Sequence, residues 1–247
     1  MSAGAALVTG AEYVAAITAH ADDRRYRDAF QALALGLSEP GSTLFDFGSG
    51  PGLDARCYAE HGRRVLAYDI DPRMSDYFDA YCRDLIEAGT VTLQRGDYRQ
   101  FLNSTPAARA ELVVSNFAPL SLVSDLAELF AKFAALTSAN GAVLASVLSP
   151  YYLGDLRYGW WWGNAARLAR EGRYAVPGAQ APVWRRRVTE FARQCTPAFR
   201  LTEVFAGDQN RRLERGAWRP LTRCRFMFLL FRKSGAATTG DGRLSGR

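Results

Sequence analysis

The sequence predicts an α/β fold, a mostly parallel sheet with helices on both faces, from three observations. Short apolar runs alternate with longer stretches of helical spacing through roughly residues 43–150, the rhythm of a doubly wound sheet. A glycine-rich turn, Gly48-Ser49-Gly50-Pro51-Gly52, directly follows the first of those runs. A carboxylate, Asp69, closes the second.

The elements follow in order. Residues 1–10 are small and expected to be flexible. From Glu12 to Leu37, the apolar residues Val14, Ile17, Tyr26, Phe30, Leu33 and Leu37 recur at mostly helical spacing and predict one or two helices. Glu39-Pro40-Gly41-Ser42 breaks that pattern. The first strand is expected over 43–47, followed by the glycine turn and a helix over 54–61 that His61 caps. A second strand over 64–68 leads to a helix over 72–87 with Pro72 in its first turn. Strands over 91–94 and 111–115 come next, then a helix over 122–136 closed by Asn140-Gly141, and a fifth strand over 142–148.

Beyond Pro150 the rhythm changes. Residues 151–197 are rich in aromatics and arginine, with helices expected over 161–171 and 184–194. Strands over 199–205 and 223–231 follow, the last apolar enough from Cys224 to Phe231 for a central position. Residues 234–247 are Gly, Ser, Thr and Ala with a few charges, and are expected to form a disordered tail. The organisation expected is one domain over 1–233. It comprises an N-terminal helical cap (1–40), a core (41–150), a substrate-cap insertion (151–197) and terminal strands (198–233).

With 247 residues, 48% of them hydrophobic and 23% charged, the chain can bury a sizeable core. No apolar run approaches the roughly 18–20 residues of a membrane span. The first residues lack the basic-then-apolar layout of a secretory signal, so a cytoplasmic protein is expected. Cys57, Cys82, Cys195 and Cys224 show no metal-ligand spacing; no metal site is expected, and they read as buried small hydrophobes.

Charge is unevenly placed. Residues 1–150 carry 12 basic and 18 acidic side chains, whereas 151–233 carry 17 basic and 6 acidic. Such asymmetry can attract an anionic ligand, nucleic acid or a membrane surface, or can pack a basic segment on an acidic one. Lys132 and Lys233 are the only lysines, so genomic compositional bias is a further explanation. Charge alone does not establish nucleic-acid binding.

The informative stretch is Phe45-Asp46-Phe47-Gly48-Ser49-Gly50-Pro51-Gly52. Glycines let such a turn take conformations closed to other residues and let a ligand approach the backbone. Ligands of open α/β sheets sit beyond the carboxyl ends of the strands, where this turn lies. Dinucleotide sites prefer G-x-G-x-x-G; here the spacing is G-x-G-x-G, with Asp46 just before it. A carboxylate there suits a cationic ligand group better than a phosphate. Asp69, at the end of the second strand, can accept hydrogen bonds from both hydroxyls of a ribose.

In this arrangement the chain resembles the class I S-adenosylmethionine (SAM)-dependent methyltransferases. Residues 43–55 resemble their first motif, Val65-Leu66-Ala67-Tyr68-Asp69-Ile70-Asp71 the second, and Gly96-Asp97-Tyr98 the adenine-side motif. Ser115-Asn116-Phe117 follows the fourth strand, where donor and acceptor groups usually meet. The resemblance covers residues 40–150 well and the two terminal strands more loosely. It implies a Rossmann-like seven-stranded sheet in the order 3-2-1-4-5-7-6, the seventh strand antiparallel, with an N-terminal helical lid and an insertion after strand 5. It also implies that Gly48, Ser49, Gly50 and Gly52 line the methionine moiety and that Asp46 orients it. By the same resemblance Asp69 holds the ribose, Ile70 packs on adenine, Asp97 accepts from the adenine amino group, Tyr98 covers the ring edge, and Asn116 stands beside the reacting groups. For Asp97 and Asp71 the alternative is a helix cap, and for Ile70 simple core packing.

The acceptor end is expected from the N-terminal helices and the insertion. Tyr13 and His20 lie seven residues apart, close to two helical turns, and can share a face. His20 is a candidate base, with a solvated or capping histidine as the alternative. Tyr151 and Tyr152, directly after the fifth strand, are candidate pocket residues, and Tyr151 a candidate catalytic one. Of Trp160-Trp161-Trp162, not all can face one way on a helix; Trp160 is the candidate acceptor wall, able to contact a cation through its π-face. Arg185-Arg186-Arg187 reads as a solvated face, with anion binding as the sharper alternative.

The function expected is methyl transfer from SAM to a small, possibly anionic acceptor by in-line displacement. Ser115-Asn116-Phe117-Ala118-Pro119-Leu120 departs from the Asn/Asp-Pro-Pro-Tyr/Phe signature of nucleobase amino-methyltransferases, so nucleic acid is a disfavoured partner. Intramolecular SAM cyclisation, a nucleic-acid methyltransferase, a non-catalytic SAM-binding subunit and an NAD-dependent dehydrogenase are the alternatives. Sequence leaves the oligomeric state open.

Overall fold

A computed structural model describes residues 9–105, 108–178, 182–207, 211–213 and 222–235. The expected flexible start and disordered tail therefore lie largely outside the described residues. Two helices, α1 (Gly10–Ala19) and α2 (Ala21–Gly36), precede the sheet, and the chain leaves helical geometry between them at His20. Thr9 opens α1 with a reciprocal capping box to Glu12.

β1 (Thr43–Phe47), β2 (Arg64–Asp69), β3 (Val91–Arg95), β4 (Ala110–Ser115) and β5 (Thr137–Leu148) pair in parallel, in the order β3-β2-β1-β4-β5. Between them run α3 (Leu53–Glu60), α4 (Pro72–Tyr81), α5 (Arg83–Glu87), α6 (Tyr98–Asn103) and α7 (Leu126–Leu136). The insertion holds α8 (Gly159–Glu171), a hairpin of β6 (Arg173–Val176) and β7 (Val183–Arg186), and α9 (Val188–Gln194). β8 (Phe199–Ala206), a short β9 (Arg211–Arg212) and β10 (Phe226–Lys233) complete the sheet. β10 inserts antiparallel between β5 and β8, giving the expected seven-strand order with β9 added at the edge.

The alternation of β10 explains its central place. Met227, Leu229 and Phe231 enter the core shared with α6, α7 and α9, while Phe226, Phe228 and Leu230 enter the core shared with α2, α3 and α4. A strand buried on both faces must be apolar at every position, and each such side chain contributes about 1.5–3 kcal/mol when fully buried. The same alternation in β1 sends Phe45 and Phe47 into the α6–α7 core and puts Leu44 on the α2–α3 side. Asp46 shares that second face.

Several boundaries differ from expectation. The helix expected over 184–194 is two elements: Val183–Arg186 pairs with Arg173–Val176, and α9 begins only at Val188. The stretch 72–87 breaks at Cys82, whose ψ of 17° ends α4 before α5 begins. α7 starts four residues later than expected, because Asp125 accepts from Ala127 N and Glu128 N and fixes its N-cap there. It ends at Leu136, and Asn140-Gly141 belongs to β5, where the β4 pairing shifts register between Ala110 and Leu112. β10 begins at Phe226 rather than 223. Cys82, Cys195 and Cys224 are buried, but Cys57 is only partly so.

Arg185 and Arg186 are not a solvated face. Arg185 donates to Ser149 O (2.8 Å) and pairs with Asp155 (3.0 Å). Arg186, 1% exposed, donates to the carbonyls of Leu120, Val123 and Ser124. These bonds attach the insertion to the loops after β4 and β5, over the carboxyl ends of the sheet.

Candidate active site

β1 delivers the chain into the glycine turn, and the turn is tied to β2. Gly48 N and Ser49 N both donate to Tyr68 O, at 2.8 and 3.0 Å. Gly48, Gly50 and Gly52 have φ of 74°, 56° and 87°, a region costly for side chains. Their surroundings differ. A Cβ on Gly48 would meet Pro119 Cγ at 2.5 Å, and one on Gly52 would meet Phe78 Cδ2 at 2.7 Å, whereas Gly50 faces open space. Gly50 is where a ligand can reach the backbone.

Asp69 ends β2 across from that opening. Its Oδ2 accepts from Gly50 N (2.6 Å) and its Oδ1 from Asp71 N (2.8 Å). Burial pushes the Asp69 carboxyl up, and those amides pull against the shift. Each oxygen retains a second lone pair for a hydroxyl. Ile70, next in sequence, is 60% exposed; it is not core, and its apolar surface flanks Asp69 unprotected. Asp71 caps α4 by accepting from Arg73 N.

Asp97 caps α6 in a reciprocal box with Gln100 and is exposed, so its Oδ1 is committed to the cap. Tyr98 packs on the aromatic core beside Phe101, and its buried hydroxyl has no hydrogen-bond partner.

On the other side of the turn lies a polar cluster that α2, α3 and the end of β4 build together. Asp54, the second residue of α3, pairs with Arg27 (2.8 Å) and accepts from Gln31 Nε2 (2.7 Å) and Asn116 Nδ2 (3.1 Å). Arg27 and Gln31 are one helical turn apart on α2, so they meet Asp54 together. The Arg27 guanidinium also lies 4.6 Å from the centre of the Phe117 ring. Burial works against its charge, but Asp54 more than offsets that and holds its pKa above the ordinary value. Tyr13, from α1, reaches the same cluster; burial raises its pKa, and the Arg27 charge opposes the shift.

Asn116 is buried and also accepts from Phe117 N (2.9 Å). After it, Phe117 and Ala118 have φ of 57° and 68°. Left-handed backbone at non-glycine residues costs of order 1–3 kcal/mol each and persists where the surroundings enforce it. Here the surroundings are the Arg27 guanidinium and the Phe226 ring packed on Phe117, and Pro119 filling the space where a Gly48 side chain would stand.

Asp46 sits behind the turn. It is 2% exposed and its Oδ2 has no hydrogen-bond partner. Burial, then the charges of Asp54 and Asp69, push its carboxyl well above the ordinary range, with Arg27 opposing. Ser49, also buried, has an unpartnered Oγ.

Tyr151 is partly buried against the α6–α7 core, and Tyr152 packs its ring over Gly154. Trp160 stacks on Tyr158 (5.7 Å) and lies against Tyr174 and Arg185, so it belongs to the packing of the insertion. The exposed indole of the triplet is Trp162, at 64%, with Nε1 bonded to Leu156 O. His20 is exposed at the α1–α2 junction, and its side chain makes no cap hydrogen bond. Sequence reasoning missed Arg27, Gln31 and Asp54; the i, i+4 spacing of Arg27 and Gln31 and the acid directly after Gly52-Leu53 were the available signals.

Comparison with known proteins follows the same lines. A family model described as a methyltransferase domain matches residues 18–188. A malonyl-[acyl-carrier protein] O-methyltransferase of Serratia marcescens is 32% identical over 128 residues, which are 52% of this chain and 47% of that protein. The chain thus matches about half the length of this curated relative. A S-adenosylmethionine-dependent methyltransferase of Mesorhizobium loti shares the fold with a TM-score of 0.57 at 20% identity, over 87% of this chain and 99% of its own. The 1,6-didemethyltoxoflavin-N1-methyltransferase of Burkholderia thailandensis, solved with 1,6-didemethyltoxoflavin and S-adenosylhomocysteine, gives 0.59 at 18% identity, covering 93% and 92%. Among the described residues no helix is long and apolar enough to cross a membrane.

Proposed function

Because the chain belongs to the methyltransferase-domain family, we propose that it transfers the methyl group of SAM to a small-molecule acceptor. The observation that carries this reading is the Asp46–Gly50–Asp69 arrangement: an unpartnered buried carboxyl oxygen just before the turn, an open glycine within it, and a second carboxyl bonded to that glycine's amide. It fits an amino-acid tail joined to a nucleoside better than a pyrophosphate, which the Asp69 carboxylate would repel.

SAM supplies a methyl group already activated on a sulfonium. The chain has to bind it, align an acceptor and exclude water. Gly50 admits the ligand to the backbone, Asp46 faces its ammonium, and Arg27, the cation of the cluster, faces its carboxylate. Asp69 takes the ribose hydroxyls through its free lone pairs, and Ile70 covers adenine. Asp97 keeps one oxygen outside its cap for the adenine amino group, with Tyr98 at the ring edge. Asn116 and the strained Phe117-Ala118 turn hold the carboxyl end of β4 in one geometry where donor and acceptor meet. α1, α2 and the insertion cover the site, and Tyr13 enters it from α1.

The acceptor is a small acid on this reading. Arg185 and Arg186 are spent on backbone carbonyls. Among the described residues the Arg187 side chain has no hydrogen bond or ion pair; its Nε is buried and unpartnered, and its charge bears on Tyr151, whose burial-raised pKa it lowers. A carboxylate acceptor suits an unpaired guanidinium, and the Serratia relative is named as an O-methyltransferase of malonyl-[acyl-carrier protein]. The test is incubation with SAM and a panel of small carboxylic acids, followed by chromatography of the nucleoside products. Acceptor-dependent S-adenosylhomocysteine is expected. Methylthioadenosine accumulating from SAM alone, or no saturable SAM binding, would contradict the reading.

A further inference from the structure

We infer that Asp46 stores a proton in the free protein and releases it to solvent when a ligand ammonium enters the glycine turn. This rests on the proposed SAM site, and it concerns what binding does to the protein rather than where the ligand lies.

The charges facing Asp46 set its state. α3 contributes Asp54 and Tyr58, β2 contributes Asp69, α2 contributes Arg27, and Cys82 follows α4. Burial raises the Tyr58 hydroxyl and pushes the Cys82 thiol up to about 12, so neither carries charge near neutral pH. Three carboxyl groups then share one guanidinium, and that guanidinium is bonded to Asp54. Asp54 has two further side-chain donors, and Asp69 has two backbone donors. Asp46 Oδ2 has none. Of the three, Asp46 is the carboxyl whose ionisation the protein supports least, since an unpaired buried carboxylate is the costliest species in the cluster.

An arriving ammonium reverses this. The neutral carboxyl becomes a carboxylate paired with the ammonium, and one proton passes to solvent; no other bond changes. The sign of the pH dependence follows. Affinity is constant above the free-state pKa of Asp46 and falls as pH drops below it, by up to about tenfold per pH unit, because a proton must then be displaced. Against unfolding the raised carboxyl acts the other way: its cost is absent below the unfolded value and grows as pH rises toward the folded one. Asp46→Asn, which keeps the shape without the charge, is therefore expected to fold at least as stably at neutral pH.

Titration calorimetry tests the inference at about pH 6.5 in phosphate and in imidazole, buffers of very different ionisation enthalpy. S-adenosylhomocysteine is expected to bind with enthalpies that differ between the two buffers in the sense of proton release. Methylthioadenosine, which lacks the amino-acid tail, is expected to bind the same protein with no buffer dependence, and Asp46→Asn to lose the dependence for S-adenosylhomocysteine. Binding with equal enthalpy in both buffers would overturn the proton release and leave the SAM site standing. Equal release with methylthioadenosine would assign the proton elsewhere and overturn it too. No binding of S-adenosylhomocysteine would bring down the site assignment and this inference together.

Discussion

Arg186→Met is expected to destabilise the fold by about 2–4 kcal/mol, lowering Tm by roughly 4–16 °C for a chain of this size. Methionine nearly fills the volume but donates nothing, so the carbonyls of Leu120, Val123 and Ser124 lose their donor. A buried acceptor left unsatisfied costs about 1–3 kcal/mol. The sum is reduced because the guanidinium is itself costly to bury: burial pushes its pKa down to about 10, and methionine relieves that cost. The donor loss outweighs the relief because three carbonyls share it. Arg187→Met is the matched comparison. With no partner to lose, it is expected to shift stability by no more than about 0.5 kcal/mol. Differential scanning calorimetry of both variants checks the contrast, and equal shifts would mean that Arg186 is not what anchors the insertion.

Asp69→Ala is expected to weaken binding of S-adenosylhomocysteine by about 1–3 kcal/mol, or roughly 5–150-fold. Two losses combine. The ribose loses its charged acceptor, and the Gly50 and Asp71 amides lose the oxygens that fix the turn. Asp69→Asn is expected to recover little, because its amide group can only present a second donor to one of those two N–H groups. Affinity unchanged in the alanine variant, measured by calorimetry, would count heavily against the ribose assignment.

How much of this was legible in sequence depended on the range of the interactions involved. The central place of β10 was, because Phe226–Phe231 is apolar on both alternating sets and only a doubly covered strand tolerates that, whereas the full sheet order came from the family resemblance. The glycine turn was legible because positive φ demands glycine locally. Asp69 was legible because the second apolar run ends on it, as β2 does here; Ile70 came only with the family resemblance, and the structure shows it exposed rather than core. Long-range polar pairing was not. Asp54 meets Asn116 from 62 residues away and Gln31 from 23; the i, i+4 spacing of Arg27 and Gln31 on α2 marks a shared face but not the residue which that face meets. Arg185 and Arg186 misled for the same reason, since Arg186 is held by backbone carbonyls and Arg185 by one such carbonyl and Asp155, none of which carries a sequence signature. Asp97 is a partial case. The helix cap, kept as its alternative, is what its side chain does here, and one oxygen stays outside that cap.

A crystal structure of the complex with S-adenosylhomocysteine tests the central claim most directly. Both ribose hydroxyls should lie within hydrogen-bond distance of Asp69, the adenine should rest on Ile70, and the ammonium should face Asp46 across Gly50. An adenosyl group found anywhere other than the carboxyl ends of β1 and β2 would contradict the account.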